Sequence, residues 1–210
     1  MDPLFIVIEG LDGSGKTTQI ELLRDALQAR GEACYVTAEP TELPTGRFIR
    51  EVLRGDRRVD ARTLAALFAA DRVEHLYHPE EGLLAKLAAG YHVIASRYYF
   101  SSLAYQSEFV DPGWIAALNS LARRTLPADL TIFLDLEPAV SMQRIRERKE
   151  ETELFETEEK LRHVRESFRE AFAVYGQGEN IVTIDAGQEV IEVADAILAA
   201  VEDLGASQSA

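Results

Sequence analysis

Gly10-Leu11-Asp12-Gly13-Ser14-Gly15-Lys16-Thr17 is the stretch on which the reading of the chain turns. It matches the spacing G-x-x-x-x-G-K-[ST], in which glycines let the backbone wrap round an anion and aim its N–H groups inward. Leu4 to Glu9, just before it, is a short apolar run of the kind that forms a buried strand. Thr17 to Arg30, just after it, repeats Ile20, Leu23 and Leu27 at helical spacing, and Gly31 closes that helix. A strand, a glycine loop and a helix N-terminus in that order make a phosphate site. By the motif's chemistry, Lys16 reaches the β- and γ-phosphates of a nucleotide and the Thr17 hydroxyl ligates Mg²⁺.

The alternation continues outward. Ala33–Thr37, His92–Ala95, Leu130–Leu136 and Ile181–Ile184 read as further strands. Gly46–Leu53 and Thr63–Ala89 read as helices, the second broken near Pro79. Pro138 opens a helix that enters a charged stretch. Leu161, Val164, Phe168, Ala171 and Tyr175 form one apolar stripe, and Val190, Val193, Ile197, Val201 and Leu204 mark a last helix. Strands alternating with helices predict an α/β three-layer sandwich, a parallel sheet covered on both faces. No repeat or linker divides the chain, so residues 1–204 are expected as one domain, with 205–210 as a flexible tail.

Composition narrows the partners. The net charge of −14 argues against general binding to nucleic acid or an anionic membrane, and makes arginines gathered at one site more telling. No apolar run approaches the ~20 residues of a membrane span, and the N-terminus lacks a basic leader pattern. A single cysteine, Cys34, allows no internal disulfide and suits a reducing cytoplasm.

A phosphate loop alone does not name a reaction. No Asn-Lys-x-Asp guanine-reading sequence occurs, and Arg50, Arg72 and Arg97 recur at strand ends and near helix starts, where a second phosphorylated substrate would need them.

Here the sequence resembles a known family. Glu9 to Gln19 looks like the phosphate loop of thymidylate kinases. Glu39-Pro40 with Gly46-Arg47-Phe48-Ile49-Arg50 resembles the family's Arg-Glu-Pro … Gly-x-x-Ile-Arg segment. Leu67-Phe68-Ala69-Ala70-Asp71-Arg72-Val73-Glu74-His75 resembles its Leu-Phe-x-Ala-x-Arg-x-x-His helix. Arg97-Tyr98-Tyr99-Phe100-Ser101-Ser102-Leu103-Ala104-Tyr105-Gln106 resembles its most diagnostic block, and Pro127 to Leu136 its fourth strand. These matches run in order over nearly the whole chain.

The resemblance implies a P-loop nucleoside monophosphate kinase with a five-stranded parallel sheet, phosphorylating dTMP to dTDP with ATP and Mg²⁺, and a homodimer meeting at helix Thr63–His78. It implies ATP at Gly10, Leu11, Asp12, Gly13, Ser14, Gly15, Lys16, Thr17 and Thr18. It implies dTMP at Asp12, Glu39, Arg50, Phe68, Arg72, Arg97, Ser102, Tyr105 and Gln106. Within that set Phe68 would stack on thymine, and Arg72, Ser102 and Gln106 would bond its polar edge. Tyr105 would pack under the sugar, Asp12 would contact the 3′-OH, and Arg50 and Arg97 would hold the acceptor phosphate. Lys16, Arg97, Arg144 and Arg148 are the expected catalytic cations, the last two in a lid at about 143–156. Gly13 and Ser14 leave no arginine in the phosphate loop, so this chain should be of the lid type. Arg144 and Arg148, four apart, share a helix face.

Three departures from the family pattern bear on rate. Ala38 stands where the family has arginine, Ser96 where it has aspartate, and Leu154 where it has a lid arginine. Ser96 brings no charge to support a metal, a role Asp12 and Glu39 are expected to take over. Two other readings therefore stand beside the kinase: a nucleotide-binding homologue with weak or lost transfer, and a kinase of another monophosphate such as dUMP. His75 and His78 are three apart on a helix, without the further ligands of a zinc set. Asp135 ends a strand and reads equally as metal ligand or structural carboxylate.

Overall fold

Every residue of β1 (Phe5–Gly10) is buried, because the strand pairs on both edges and is covered on both faces. The computed structural model describes residues 2–147 and 157–208. Its five strands, β1, β2 (Cys34–Ala38), β3 (His92–Ser96), β4 (Leu130–Asp135) and β5 (Ile181–Asp185), form one parallel sheet in the order β2-β3-β1-β4-β5. The period-two alternation of strand side chains builds two cores. Phe5, Val7, Val93, Ala95 and Phe133 face one way, toward α5 (Tyr99–Gln106) and α9 (Glu158–Tyr175). Ile6, Ile8, Ile94, Ile132 and Leu134 face the other, toward α1 (Lys16–Ala29) and α10 (Val190–Gln208). A one-residue slip of β1 would exchange these two sets, so the register is firmly fixed.

The remaining helices are α2 (Pro44–Leu53), α3 (Ala61–Tyr77), α4 (Leu83–Ala88), α6 (Pro112–Leu118), α7 (Ser120–Thr125) and α8 (Pro138–Glu147). Asp60 caps α3 by accepting from Arg62 N, and Thr157 caps α9 by accepting from Lys160 N. Gly31, at φ 83°, ends α1 in the left-handed conformation. The expected break near Pro79 falls between α3 and α4. No described helix is long and apolar enough to cross a membrane.

Two expectations need correction. The tail expected at 205–210 is helical through Gln208, with 209–210 outside the described residues. The reason is packing: Val201 is buried on the sheet, Leu204 packs against the same core, and Gly205 is still covered. The sequence reading also gave no elements between Tyr98 and Pro127, where α5, α6 and α7 lie. Of α5, Tyr99 to Ala104 are all buried, so it has no polar stripe to reveal a period; α6 and α7 are too short to show one.

The sheet places the ends of β1 and β3 side by side, so the loops after them face one crevice. Gly10 makes the turn out of β1 at φ 149°, and a Cβ there would lie 2.8 Å from both Leu134 O and Ser14 Oγ. Gly10→Ala should therefore lower stability by about 1–3 kcal/mol. Thermal unfolding should register this as a fall of several degrees, at ~2–4 °C per kcal/mol for a chain of this size.

Candidate active site

One cavity of about 1070 Å³ opens beyond the ends of β1 and β3. Asp12, Gly13, Gly15, Lys16 and Thr17 line one end of the set, and Glu39, Phe68, Arg72, Arg97, Ser102, Tyr105 and Gln106 complete the residues expected there. Gly13 and Gly15 hold φ of 77° and 91°, which only glycine adopts freely. At Gly15 a Cβ would meet nothing within 4 Å, so the loop leaves open space where an anion would sit. Gly10, Leu11, Ser14 and Thr18 are not among the residues that line the cavity. Ser141 Oγ on α8 donates to the Asp12 carbonyl and ties that helix to the loop. Lys16 Nζ donates to the carbonyls of Gly10 and Leu11, at 3.0 and 2.7 Å.

Facing the loop, Arg97 sits in the left-handed region at φ 71°. Its Nη2 donates to Asp12 Oδ1 at 2.5 Å and to the Tyr105 hydroxyl at 3.1 Å, and Tyr105 donates to Asp12 Oδ2 at 3.2 Å. The guanidinium also lies over the Tyr105 ring, 4.7 Å from its centroid. Desolvation in the cleft pushes the Asp12 pKa up, but Arg97 and Lys16 outweigh it and bring it down to about 2. Burial raises the Tyr105 phenol well above its ordinary value, so it stays a neutral donor.

Arg72 is only 1% exposed, deeper than the spacing of α3 implies. Its Nε donates to Glu39 Oε2 at 2.8 Å, with Nη2 2.5 Å from the same oxygen. Nη1 donates to Ser102 Oγ at 3.0 Å and to Asn119 Oδ1. The Tyr98 ring lies 5.4 Å away. Glu39 Oε1 meets His75 Nδ1 at 3.0 Å, and His75 Nε2 meets Thr37 Oγ1 at 2.8 Å. Both carboxylate oxygens of Glu39 are therefore engaged, and the expected support of a metal by Glu39 does not fit this geometry. Its observed work is to hold Arg72.

Phe68 is half-buried and lines the cavity rather than the core. Ser102 and Gln106, four apart on α5, share one face. Gln106 is 9% exposed, lines the cavity, and its Oε1 has no hydrogen-bond partner. Arg50 does not line the cavity; it donates to the carbonyls of Thr41 and Pro40, at 2.5 and 2.6 Å, and pairs with Glu42. Its expected grip on a phosphate would require leaving these. Arg144 also lies off the cavity, and Arg148 and Leu154 fall outside the described residues. Asp135 is paired with Arg165 and Arg169, which accounts for it as a structural carboxylate binding α9 to the sheet.

Sequence reasoning missed Asn119 and underused Glu9. Glu9 Oε1 accepts from Tyr98 N at 2.9 Å and Ser101 N at 3.2 Å, and Oε2 meets Ser101 Oγ at 2.5 Å. It thereby fixes the first turn of α5, which carries Ser102, Tyr105 and Gln106. An acidic residue just before a phosphate loop is visible in sequence, but not that its partners lie 89–92 positions away.

A phosphate loop on the central strand, faced across one cavity by cations from the neighbouring strand and from α3, is the arrangement of a P-loop kinase of small phosphorylated molecules. The family model for thymidylate kinase matches residues 8–197. A protein of Pyrobaculum calidifontis named "Probable thymidylate kinase" is 43% identical over 206 residues, covering 97% of this chain and 98% of the relative. Another of that name from Thermococcus kodakarensis is 37% identical over 210 residues, covering 96% and 98%. A Leptospira borgpetersenii protein named "Thymidylate kinase" is 36% identical over 167 residues, covering 79% and 80%. The chain belongs to the thymidylate kinase family.

Burial raises the Glu9 pKa, outweighing the hydrogen bonds from Ser101 and Tyr98 and the Arg97 charge. A folded pKa above the unfolded one gives a stability contribution present below the unfolded pKa and lost as pH rises through the folded one. Glu9→Gln keeps the shape and has no such titration. Its stability relative to the parent, from urea unfolding at pH 4.5 and pH 8, should therefore improve as pH rises.

Proposed function

We propose that the chain transfers the γ-phosphoryl group of ATP to dTMP, yielding dTDP and ADP, by direct in-line displacement without a covalent enzyme intermediate. The observation that carries the choice of acceptor is the polar inventory at the Phe68 end of the cavity. Arg72 can only donate, and the buried Gln106 Oε1 is an acceptor without a partner. The thymine edge offers a carbonyl acceptor and an N–H donor, which answers both. Cytosine presents the reverse pattern and would leave buried groups unpaired. Phe68 supplies an apolar face for the ring.

The other roles follow from position. Lys16 exchanges the Gly10 and Leu11 carbonyls for the β- and γ-phosphates. Arg97, already against Asp12, receives the acceptor phosphate and offsets charge as it develops. Tyr105, held by Arg97 and Asp12, packs beneath the sugar and disfavours a ribose 2′-OH. Arg50 joins the acceptor phosphate only after the 40–42 loop moves. Arg144, and Arg148 outside the described residues, are the cations assigned to the transferring group, in the lid expected at about 143–156 of the single domain.

Mg²⁺ fits the site in one way. No group of three or more His, Cys, Asp or Glu able to hold a metal occurs among the described residues, so the ion would be held by Thr17 Oγ1 and nucleotide phosphates, with the ionised Asp12 nearby. When bound it would offset phosphate charge. A homodimer through α3 is supported by Leu67, Ala70, Val73 and Tyr77, half-buried or exposed at helical spacing on that helix. A cytoplasmic place agrees with the lone Cys34. The family match favours neither a homologue without transfer nor a dUMP kinase.

The deciding assay is ADP production from ATP and Mg²⁺ with dTMP, dUMP, dCMP, dGMP and UMP as acceptors. Turnover should be strongest with dTMP; nucleotide binding with no turnover on any acceptor would reject the kinase. Lys16→Ala should lower kcat with dTMP by about 100-fold or more, as loss of a transition-state cation does.

A further inference from the structure

Asn119 lies between α6 and α7, 2% exposed, and is not part of the cavity lining. Its amide cannot turn freely. Nδ2 donates to the Ile115 carbonyl at 2.8 Å, one turn back, which leaves Oδ1 facing the Arg72 Nη1. A flipped amide would set N–H against a group that only donates, so the orientation is doubly specified.

The result matters for the hydrogens of Arg72. Nε is committed to Glu39, and the two hydrogens of Nη1 go to Ser102 and Asn119. Nη2 alone, in ion-pair contact with Glu39 through one side, keeps a second hydrogen, fixed in the guanidinium plane, for a ligand. Three elements thus clamp one guanidinium: the loop after β2 through Glu39, α5 through Ser102, and the α6–α7 junction through Asn119.

We infer that Asn119 is a positioning residue for base discrimination: by absorbing one Nη1 hydrogen it restricts Arg72 to a single donor directed at the base. This deepens the dTMP reading of the same site and rests on it. Without the Asn119 oxygen the guanidinium loses one of its three anchors and gains an uncommitted Nη1 hydrogen, so it can swing in its plane until an Nη1 hydrogen meets the base edge. That hydrogen would oppose the N3–H of thymine and would satisfy the N3 acceptor of cytosine.

The test is the ratio of kcat/KM for dTMP to that for dCMP in the full-length chain. Asn119→Leu, which keeps bulk and removes the acceptor, should lower the ratio about tenfold or more, a usual size for one mispaired buried polar group. The loss should come from a raised KM for dTMP, with kcat for dTMP within about threefold, because Asn119 touches no phosphate-binding group. Asn119→Asp loses the bond to Ile115 yet keeps an oxygen toward Arg72, and should hold the ratio within about threefold of the parent. A residue that only supports the fold would instead lower kcat/KM for both acceptors together in both variants. An unchanged ratio in Asn119→Leu, or an equal loss on both acceptors, would overturn the inference. If Asn119→Leu does not fold, Asn119→Ala reads the same ratio. If the parent phosphorylates neither pyrimidine, the kinase reading fails on its own. Calorimetric binding of dTMP and dCMP to the parent and to Asn119→Leu then still decides whether Asn119 sets the preference.

Discussion

The contact between Arg97 and Asp12 is the constraint around which the site is arranged. It joins the loop after β1 to the loop after β3, the two halves of the crevice. Arg97 reaches it from a left-handed backbone, which costs a non-glycine residue on the order of 1–2 kcal/mol. Asp12, Tyr105, Ser101 and the Gly10 carbonyl all take hydrogen bonds within this group, and this network offsets the strain. Glu9 then anchors α5 beneath it. In a chain of net charge −14, the cations of the site are held by partners chosen for them, not by the general field.

The site has a consistent electrostatic logic. Arg72 rests on Glu39, Arg97 on Asp12, and Lys16 on two carbonyls. Only some of these pairings are meant to break. Lys16 donates to two carbonyls of the phosphate loop and has the Asp12 carboxylate 3.9 Å away, a looser hold than the 2.5 Å contact of Arg72 with Glu39. Arg72 is fully buried on an ion pair, where removing one partner would leave a costly bare charge. Charge exchange therefore belongs to the phosphate end, and fixed geometry to the base end.

How much of this could be read in the sequence depended on range. The phosphate loop, the five strands and the apolar stripes of α1, α9 and α10 are local patterns, and they stand in the structure where the pattern puts them. Phe68, Arg72, Ser102 and Gln106 were legible through resemblance, and the cavity brings them together. The hidden part is long-range pairing. Nothing near Glu39 in sequence announces Arg72 and His75, and nothing near Asn119 announces a guanidinium 47 residues away. The helix through Gln208 was missed because Gly205 and the small residues after it carry the composition of a tail, while Leu204 before them is still held on the sheet. Arg50 and Arg144 were placed by motif, and motif does not say which way a long side chain is turned.

The burial of β1 on both faces and both edges has one further consequence. Local opening needs exposed hydrogen bonds or a free edge, and this strand has neither. Its amides can meet solvent only when the whole sheet comes apart. The loop that begins at Gly10 is thus mounted on the slowest-opening part of the molecule, and its shape should last as long as the fold itself. Warming would not loosen the strand that carries the phosphate cradle ahead of the rest of the sheet.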